Sequence, residues 1–184
     1  MNVKGIAFIH AKEAHEEGLG KEQWDKFFQK FKKDYPGFPD DVLASSNIPI
    51  DLYLSFMTEL IKEFYNGDER VYWRFGSGAA RSSLAEGGYF DVFTKHQKSP
   101  EKFIKFVLAR IWNSYFDMGR QEFLLEGNIL HARLLDLPKY HPYFELVSMG
   151  YIKGALDVIG IKAKDIKKIK SSAKETYYQY TLDF

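Results

Sequence analysis

Ser99-Pro100-Glu101-Lys102-Phe103-Ile104-Lys105-Phe106-Val107-Leu108-Ala109-Arg110-Ile111-Trp112-Asn113-Ser114-Tyr115-Phe116 is the stretch whose reading decides the fold. Ser99 has the side chain of an N-cap, Pro100 suits the first helical position, and Glu101 puts an acid in the first turn, so a helix starts here. Ile104, Val107, Leu108, Ile111, Trp112 and Tyr115 recur at helical spacing, with Phe103 and Phe106 widening the apolar stripe. A helix apolar over so much of its circumference needs cover on more than one side. We read it as the central core helix, a partition between a helical layer and a sheet. Trp112, Tyr115 and Phe116 stand at its sheet-side end, where any cavity is expected.

Beyond Asp117-Met118-Gly119 the period changes from helical to alternating. Arg120 to Glu126 and Ile129 to Asp136 flank Gly127-Asn128, a two-residue turn that predicts a β-hairpin closed by Pro138. Pro142 opens a last helix with Leu146, Met149, Ile152, Ala155, Leu156 and Ile159 toward the core and Gly160 as its cap. A second hairpin follows, Lys162 to Ser172 and Thr176 to Phe184. In its last strand Tyr178, Tyr180, Leu182 and Phe184 alternate with Tyr177, Gln179, Thr181 and Asp183.

On the N-terminal side the pattern is helical. Val3 to Ile9 is apolar, Ala11 to Glu17 polar, and Gly18-Leu19-Gly20 a stop and restart. Trp24, Phe27, Phe28, Phe31 and Tyr35 make one face of a helix that Pro36-Gly37-Phe38-Pro39-Asp40 ends. Val42 to Ile48 reads as extended or as a turn. Pro49 opens a helix with Leu52, Phe56, Leu60 and Phe64 on one face, stopped at Asn66-Gly67-Asp68. Glu69 to Leu84 is a further helix whose Gly76-Ser77-Gly78 predicts close approach of another helix. Glu86-Gly87-Gly88 breaks it before a short helical turn at 89–93. These elements predict one α+β domain over residues 1–184, a helical N-terminal half followed by hairpin, helix and hairpin, with an antiparallel sheet packed on helices.

The chain has 184 residues, 45% of them hydrophobic and 17% aromatic, enough for a substantial core. Its 16 Phe, 12 Tyr and 3 Trp exceed what a minimal core needs, so some are expected in a pocket or an interface. Twenty-six basic against 25 acidic residues leave a net charge of +1, with no general drive toward nucleic acid or anionic membrane. The absence of cysteine excludes disulfides, thiol catalysis and cysteine-held metals. Met1 to Gly5 carries no signal-like apolar run and no stretch reaches membrane-spanning length, so a cytoplasmic protein is expected.

This order of elements, together with Val3-Lys4-Gly5, Leu43-Ala44-Ser45-Ser46, Ile48 to Leu54, Gly67 to Val71, Ser99 to Phe103, Trp112 to Gly119 and Tyr178 to Leu182, is similar to a paralogous family without assigned function, best known from myxobacteria. More distantly the chain resembles the superfamily of 4-vinyl reductase domains, haem–nitric-oxide-binding domains and small TRAPP vesicle-tethering subunits. The resemblance implies an α/β ligand-binding fold, frequent dimerisation, and a role as sensor or interaction module without a known reaction. It carries over no functional residue. Where the vinyl-reductase type has cysteines, this chain reads Ser171-Ser172-Ala173-Lys174-Glu175-Thr176. The acyl-bearing cysteine of TRAPP subunits is absent, and so is the Tyr-x-Ser-x-Arg spacing with which the haem-binding type holds its porphyrin.

Chemical constellations are sparse. Of five histidines, His10 and His15 are five apart, not the four of a helical metal pair, and are expected on a solvated helix face. His96 has no companion. His131 and Arg133 share one strand face and could grip a carboxylate or phosphate, or merely decorate the surface. His141 before Pro142 is a helix start. Gly76 to Ser83 lacks the Gly-Lys-Ser/Thr of a phosphate loop, and helix packing is the better reading, with Arg74 and Arg81 left as anion contacts. No nucleophile elbow or acid–base pair stands out, so no catalytic residue, no metal and no cofactor is assigned, and the protein is read as a non-enzyme. Lys162, Lys164, Lys167, Lys168 and Lys170 protect an edge strand or, as the lesser alternative, bind nucleic acid. Gly150 and Gly154 permit close packing, on the sheet or across a two-fold axis.

The leading functional expectation is a small-molecule-binding module with an aromatic-lined apolar cavity, its candidate lining being Tyr53, Phe56, Trp73, Trp112, Tyr115 and Phe116. The alternative is a homodimeric interaction scaffold without ligand.

Overall fold

The computed structural model describes residues 1–84 and 99–183. Among these the fold is α+β, with a two-stranded and a four-stranded antiparallel sheet. The predicted break at 86–88, the helical turn at 89–93 and His96 lie outside the described residues. No described helix is long and apolar enough to cross a membrane. The chain gathers into two compact units, Met1–Glu69 with Ser114–Asp117, and Arg70–Asn113 with Met118–Phe184.

In the first unit, strand β1 (Asn2–Lys4) pairs antiparallel with β2 (Asn47–Pro49), Val3 opposite Ile48. Helices α1 (Gly5–Leu19), α2 (Lys21–Asp34) and α3 (Ile50–Tyr65) complete it. Val3 also bridges Phe116, and the Asn2 backbone N–H donates to Asp117 Oδ1 at 2.6 Å. The aromatic spacing of α2 does what it predicts. Trp24, Phe27 and Phe31 are buried, and with Phe8, Phe38 and Phe56 they form one ring network. Burying one such side chain contributes roughly 1.5–3 kcal/mol. The α3 helix stops where Asn66 enters the left-handed region at φ 53°, as the Asn66-Gly67 signal predicts.

The expectation of a solvated histidine face on α1 is corrected. His15 is buried, its ring 6.2 Å from Trp24 and 6.0 Å from Tyr65, and His10 is half-buried with its ring 6.3 Å from Tyr115. So much aromatic surface on α2 and α3 draws even the polar side of α1 under cover.

In the second unit, α4 spans Val71–Leu84. The central helix, α5, runs Pro100–Phe103, then a π-helical turn Ile104–Leu108, then Ala109–Tyr115, the last two residues belonging to the first unit. Phe103, Ile104, Val107, Leu108, Ile111 and Trp112 are buried, as the stripe requires. The continuous α-helical reading fails at Phe106, which is exposed with the Lys105 ammonium 5.4 Å from its ring centre. A π-turn takes one residue more per turn than the α spacing assumed.

Strands β3 (Arg120–Glu126), β4 (Ile129–Leu135), β5 (Lys162–Lys170) and β6 (Glu175–Asp183) form the larger sheet in the order β3-β4-β6-β5. Gly127, at φ 59°, starts the two-residue turn between β3 and β4, which glycine adopts without steric cost. Leu130, Ala132, Leu134, Tyr178, Tyr180 and Leu182 are buried on one face of the sheet. Helix α6 (Pro142–Val158) is tied to that face by Tyr180 Oη, which donates to the Met149 carbonyl at 2.7 Å.

Helix α6 packs against α4 at backbone contact. A Cβ on Gly76 would lie 2.0 Å from the Val147 carbonyl oxygen, and one on Gly150 would lie 2.2 Å from that of Trp73. Gly154 faces the Ser77 carbonyl in the same way, at 2.5 Å. The small residues of α4 thus meet another helix, as read from the sequence. Gly150 and Gly154 are used against α4, not against the sheet and not across a two-fold axis.

Candidate functional site

The candidate lining residues fall in both units. Tyr53, Phe56, Tyr115 and Phe116 belong to the first, Trp73 and Trp112 to the second. Tyr53 and Phe56, one turn apart on α3, are buried with ring centres 6.0 Å apart, and Phe56 is part of the aromatic network. Phe116 is buried at the bridge to Val3, and Tyr115 is partly buried beside His10. In the second unit Trp112 is buried, with its Nε1 donating to the Met118 carbonyl at 2.8 Å and its ring 6.2 Å from Phe144. Trp73 is partly buried, its ring 6.3 Å from Tyr178.

The anion candidates all belong to the second unit but lie on two different elements, β4 and α4. His131 and Arg133 do share the outer face of β4, opposite Gln179 and Tyr177 of β6. The His131 ring stacks on Tyr177 at 5.9 Å, with Nδ1 and the Tyr177 hydroxyl 2.6 Å apart, and its Nε2 lies 3.2 Å from Glu126. The Arg133 guanidinium lies 4.7 Å over the same tyrosine ring with Nε 3.6 Å from Glu175. Tyr177 thus aligns both side chains, a surface arrangement that could receive a carboxylate. Arg74 is exposed on α4, and Arg81, also exposed, lies 3.7 Å from Asp157. Three of the five β5 lysines have acidic partners, Lys164 with Asp183, Lys168 with Glu145 and Lys170 with Glu175.

Sequence reading misses a heavily bonded polar group, Glu145 in the first turn of α6. Its carboxylate is buried and accepts from four donors. Tyr178 Oη donates to Oε1 at 2.5 Å and Lys168 Nζ at 2.9 Å. Tyr140 Oη donates to Oε2 at 2.7 Å, and Ser171 Oγ donates to that same oxygen. Burial alone would raise its pKa, but the four donors outweigh burial and hold it below the ordinary carboxylate value. Burial and the same carboxylate push the Tyr178 hydroxyl far up. A carboxylate with its lone pairs so engaged is a poor base. It fastens the start of α6 to the β5–β6 hairpin. An acid in the first turn after His141 reads in sequence as ordinary helix-end chemistry. His141 is that N-cap, accepting from the Tyr143 N–H at 3.1 Å.

No protein-family profile matches the chain, and no curated protein sequence matches it. Solved structures do match. An H-NOX protein from S. oneidensis in the Fe(II)NO ligation state superposes with a TM-score of 0.74 at 17% identity, covering 98% of this chain and 99% of its own. The Fe(II) unliganded H-NOX protein from K. algicida gives 0.67 at 14% identity over 98% and 97%. The H-NOX from Shewanella woodyi in the Fe(II)CO ligation state gives 0.65 at 13% identity over 96% and 93%. At these identities the likeness is one of fold. The described residues have an H-NOX-like α+β fold.

Proposed function

We propose that this protein is a non-enzymatic sensor-type domain that binds a small apolar molecule against its aromatic side chains. The observation that carries this reading is the likeness to H-NOX structures over 98% of the chain. Trp73 and Trp112 in the second unit, or Tyr53, Phe56, Tyr115 and Phe116 in the first, are the side chains proposed to meet the ligand.

The iron of the H-NOX structures finds no fit at the described residues His15, His131 and His141. An iron porphyrin requires an axial side chain, most often an imidazole nitrogen. Helix α5 carries no histidine from Pro100 to Tyr115. His15 Nδ1 engages the Ala11 carbonyl, His131 sits between Tyr177 and Glu126, and His141 caps α6. No cluster of three metal-ligating side chains occurs among the described residues. The ligand of this proposal is one held by apolar contact.

Native mass spectrometry of protein purified from cells tests the reading, with retained small-molecule mass the expected result. Protein free of such mass, and a panel of apolar compounds that leaves its melting temperature unmoved, would refute it. A stoichiometric Soret band on adding haem would overturn the iron-free clause alone.

A further inference from the structure

The two edges of the larger sheet differ in a way that points to a partner. The β5 edge carries five lysines, and its pairing with β6 shifts register between Ala163 and Asp165 and again between Lys168 and Lys170. Lysines and bulges are the ordinary means of keeping an edge from pairing with another chain. The opposite edge, β3, has neither. Its seven residues pair with β4 in unbroken register, contain no lysine or proline, and include Leu124, exposed at 54%. Among the described residues no strand lies on its far side.

The backbone of β3 is set for a partner at alternate residues. A two-residue turn makes Glu126 and Ile129 the closing hydrogen-bonded pair. By alternation Leu124, Glu122 and Arg120 also spend their backbone groups on β4. Gln121, Phe123 and Leu125 therefore turn their N–H and C=O toward the open edge.

We infer that β3 pairs antiparallel with β3 of a second copy of this chain, about a two-fold axis at Phe123. In that register Phe123 meets Phe123 and Gln121 meets Leu125, so every outward backbone group is used. On the outer face Arg120 of each copy stands opposite Glu126 of the other, and Glu122 stands opposite Leu124. Moving the axis to residue 122 sets Glu122 against Glu122, and moving it to 124 sets Glu122 against Glu126, like charges that cross-strand pairing penalises. Axes at 121 or 125 leave part of the strand unpaired. The sequence Arg-Gln-Glu-Phe-Leu-Leu-Glu is thus self-complementary in one full-length register. Arg120, held by Glu122 and Asp136 over its own strand, and Glu126 are both exposed enough to meet across that axis. The surface added by one strand pair is small, so the dimer is of micromolar strength. This inference is independent of the ligand.

Sedimentation equilibrium of the full chain tests it, with a charge-swap cycle. The expected result is a reversible wild-type dimer, dimerisation weakened at least about tenfold in R120E and in E126R, and recovery in the R120E/E126R double variant. Phe123→Pro, which removes an outward N–H and leaves the β4 ladder intact, is expected to be monomeric with an unchanged far-ultraviolet spectrum. A wild-type monomer up to about 0.5 mM, a dimer indifferent to all these variants, or a double variant that stays monomeric beside a dimeric wild type would each overturn the inference.

Discussion

In the first unit the ring of Phe56 lies within 5.2–6.0 Å of Phe8, Trp24, Phe27, Phe31 and Phe38, side chains contributed by two other helices and the loop after α2. In the second unit α4 and α6 meet where side chains are missing, at Gly76, Gly150 and Gly154. The first arrangement obtains its cohesion from area removed from water and from ring contacts, and it fails when volume is lost. The second obtains it from close approach of two backbones, and it fails when volume is added. The same chain therefore answers substitutions of opposite kinds in its two halves.

The largest effect is expected from emptying the aromatic network. Phe56→Ala should cost about 4 kcal/mol, the range for a buried phenylalanine whose neighbours cannot collapse. Phe56→Leu should cost only about 1–1.5 kcal/mol, because a shape change at similar volume is better tolerated. Urea unfolding measures both. Equal losses would show that ring geometry, rather than volume, holds the first unit.

Filling the glycine crossing comes next. Gly150→Ala should cost about 3 kcal/mol, even though alanine is intrinsically favoured over glycine inside a helix by about 1 kcal/mol. The added carbon would meet the Trp73 carbonyl at 2.2 Å, and neither backbone can yield without parting the helices. Gly18→Ala in α1, where nothing lies within 4 Å, is the control and should stabilise slightly. Hydrogen exchange would sharpen the contrast, with the Gly150 variant loosening amides of α4 and α6 first. If both alanines behaved alike, the crossing would be looser than its geometry indicates.

Glu145→Gln ranks third, at about 2 kcal/mol near neutral pH, since it leaves Lys168 without its counter-charge and places an amide nitrogen where an acceptor is needed. Because Glu145 titrates below its ordinary 4.5 in the folded chain, its stabilisation is present above that pH and is lost as pH falls through the folded value. The gap between wild type and variant should therefore close in acid. A gap of constant size from pH 7 to pH 3 would mean that packing, not charge, sets the cost.

What the sequence makes legible follows from the same division. Trp24, Phe27, Phe28 and Phe31 announce their helix by spacing, and Gly127-Asn128 announces its hairpin, because both signals are local. Gly76 announces close approach, but only the folded chain identifies α6 as the partner, since the carbonyl that needs the space belongs to Val147, some seventy residues on. Glu145 is hidden for the same reason. Its four donors come from residues 140, 168, 171 and 178, and no local pattern sets such a carboxylate apart from a first-turn acid. Phe106 defeats the periodic reading because the π-turn around it has no sequence mark of its own. Among the candidate site residues, the pairing of His131 with Arg133 is legible because strand period is two. The role of Tyr177 beneath them depends on the register of β4 with β6, which the sequence does not display.

The smallest effect belongs to His15, and it separates burial from charge within the first unit. Burial keeps its imidazole neutral and lowers its pKa below 6.5, partly offset by the hydrogen bond to the Ala11 carbonyl. The unfolded chain therefore binds the proton more readily, so the stability tied to this group is complete above pH 6.5 and declines as pH falls from there toward the folded value. His10 acts in the same direction. His15→Gln should retain most of the stability at pH 8 and flatten the slope between pH 7 and pH 5, while the Glu145 limb below pH 4.5 stays unchanged. Denaturant midpoints across that range read both windows in one series. If the upper slope survived the substitution at full size, the proton uptake would belong to His10, or to His141 in the second unit, whose imidazole is likewise held neutral by burial and by Lys139.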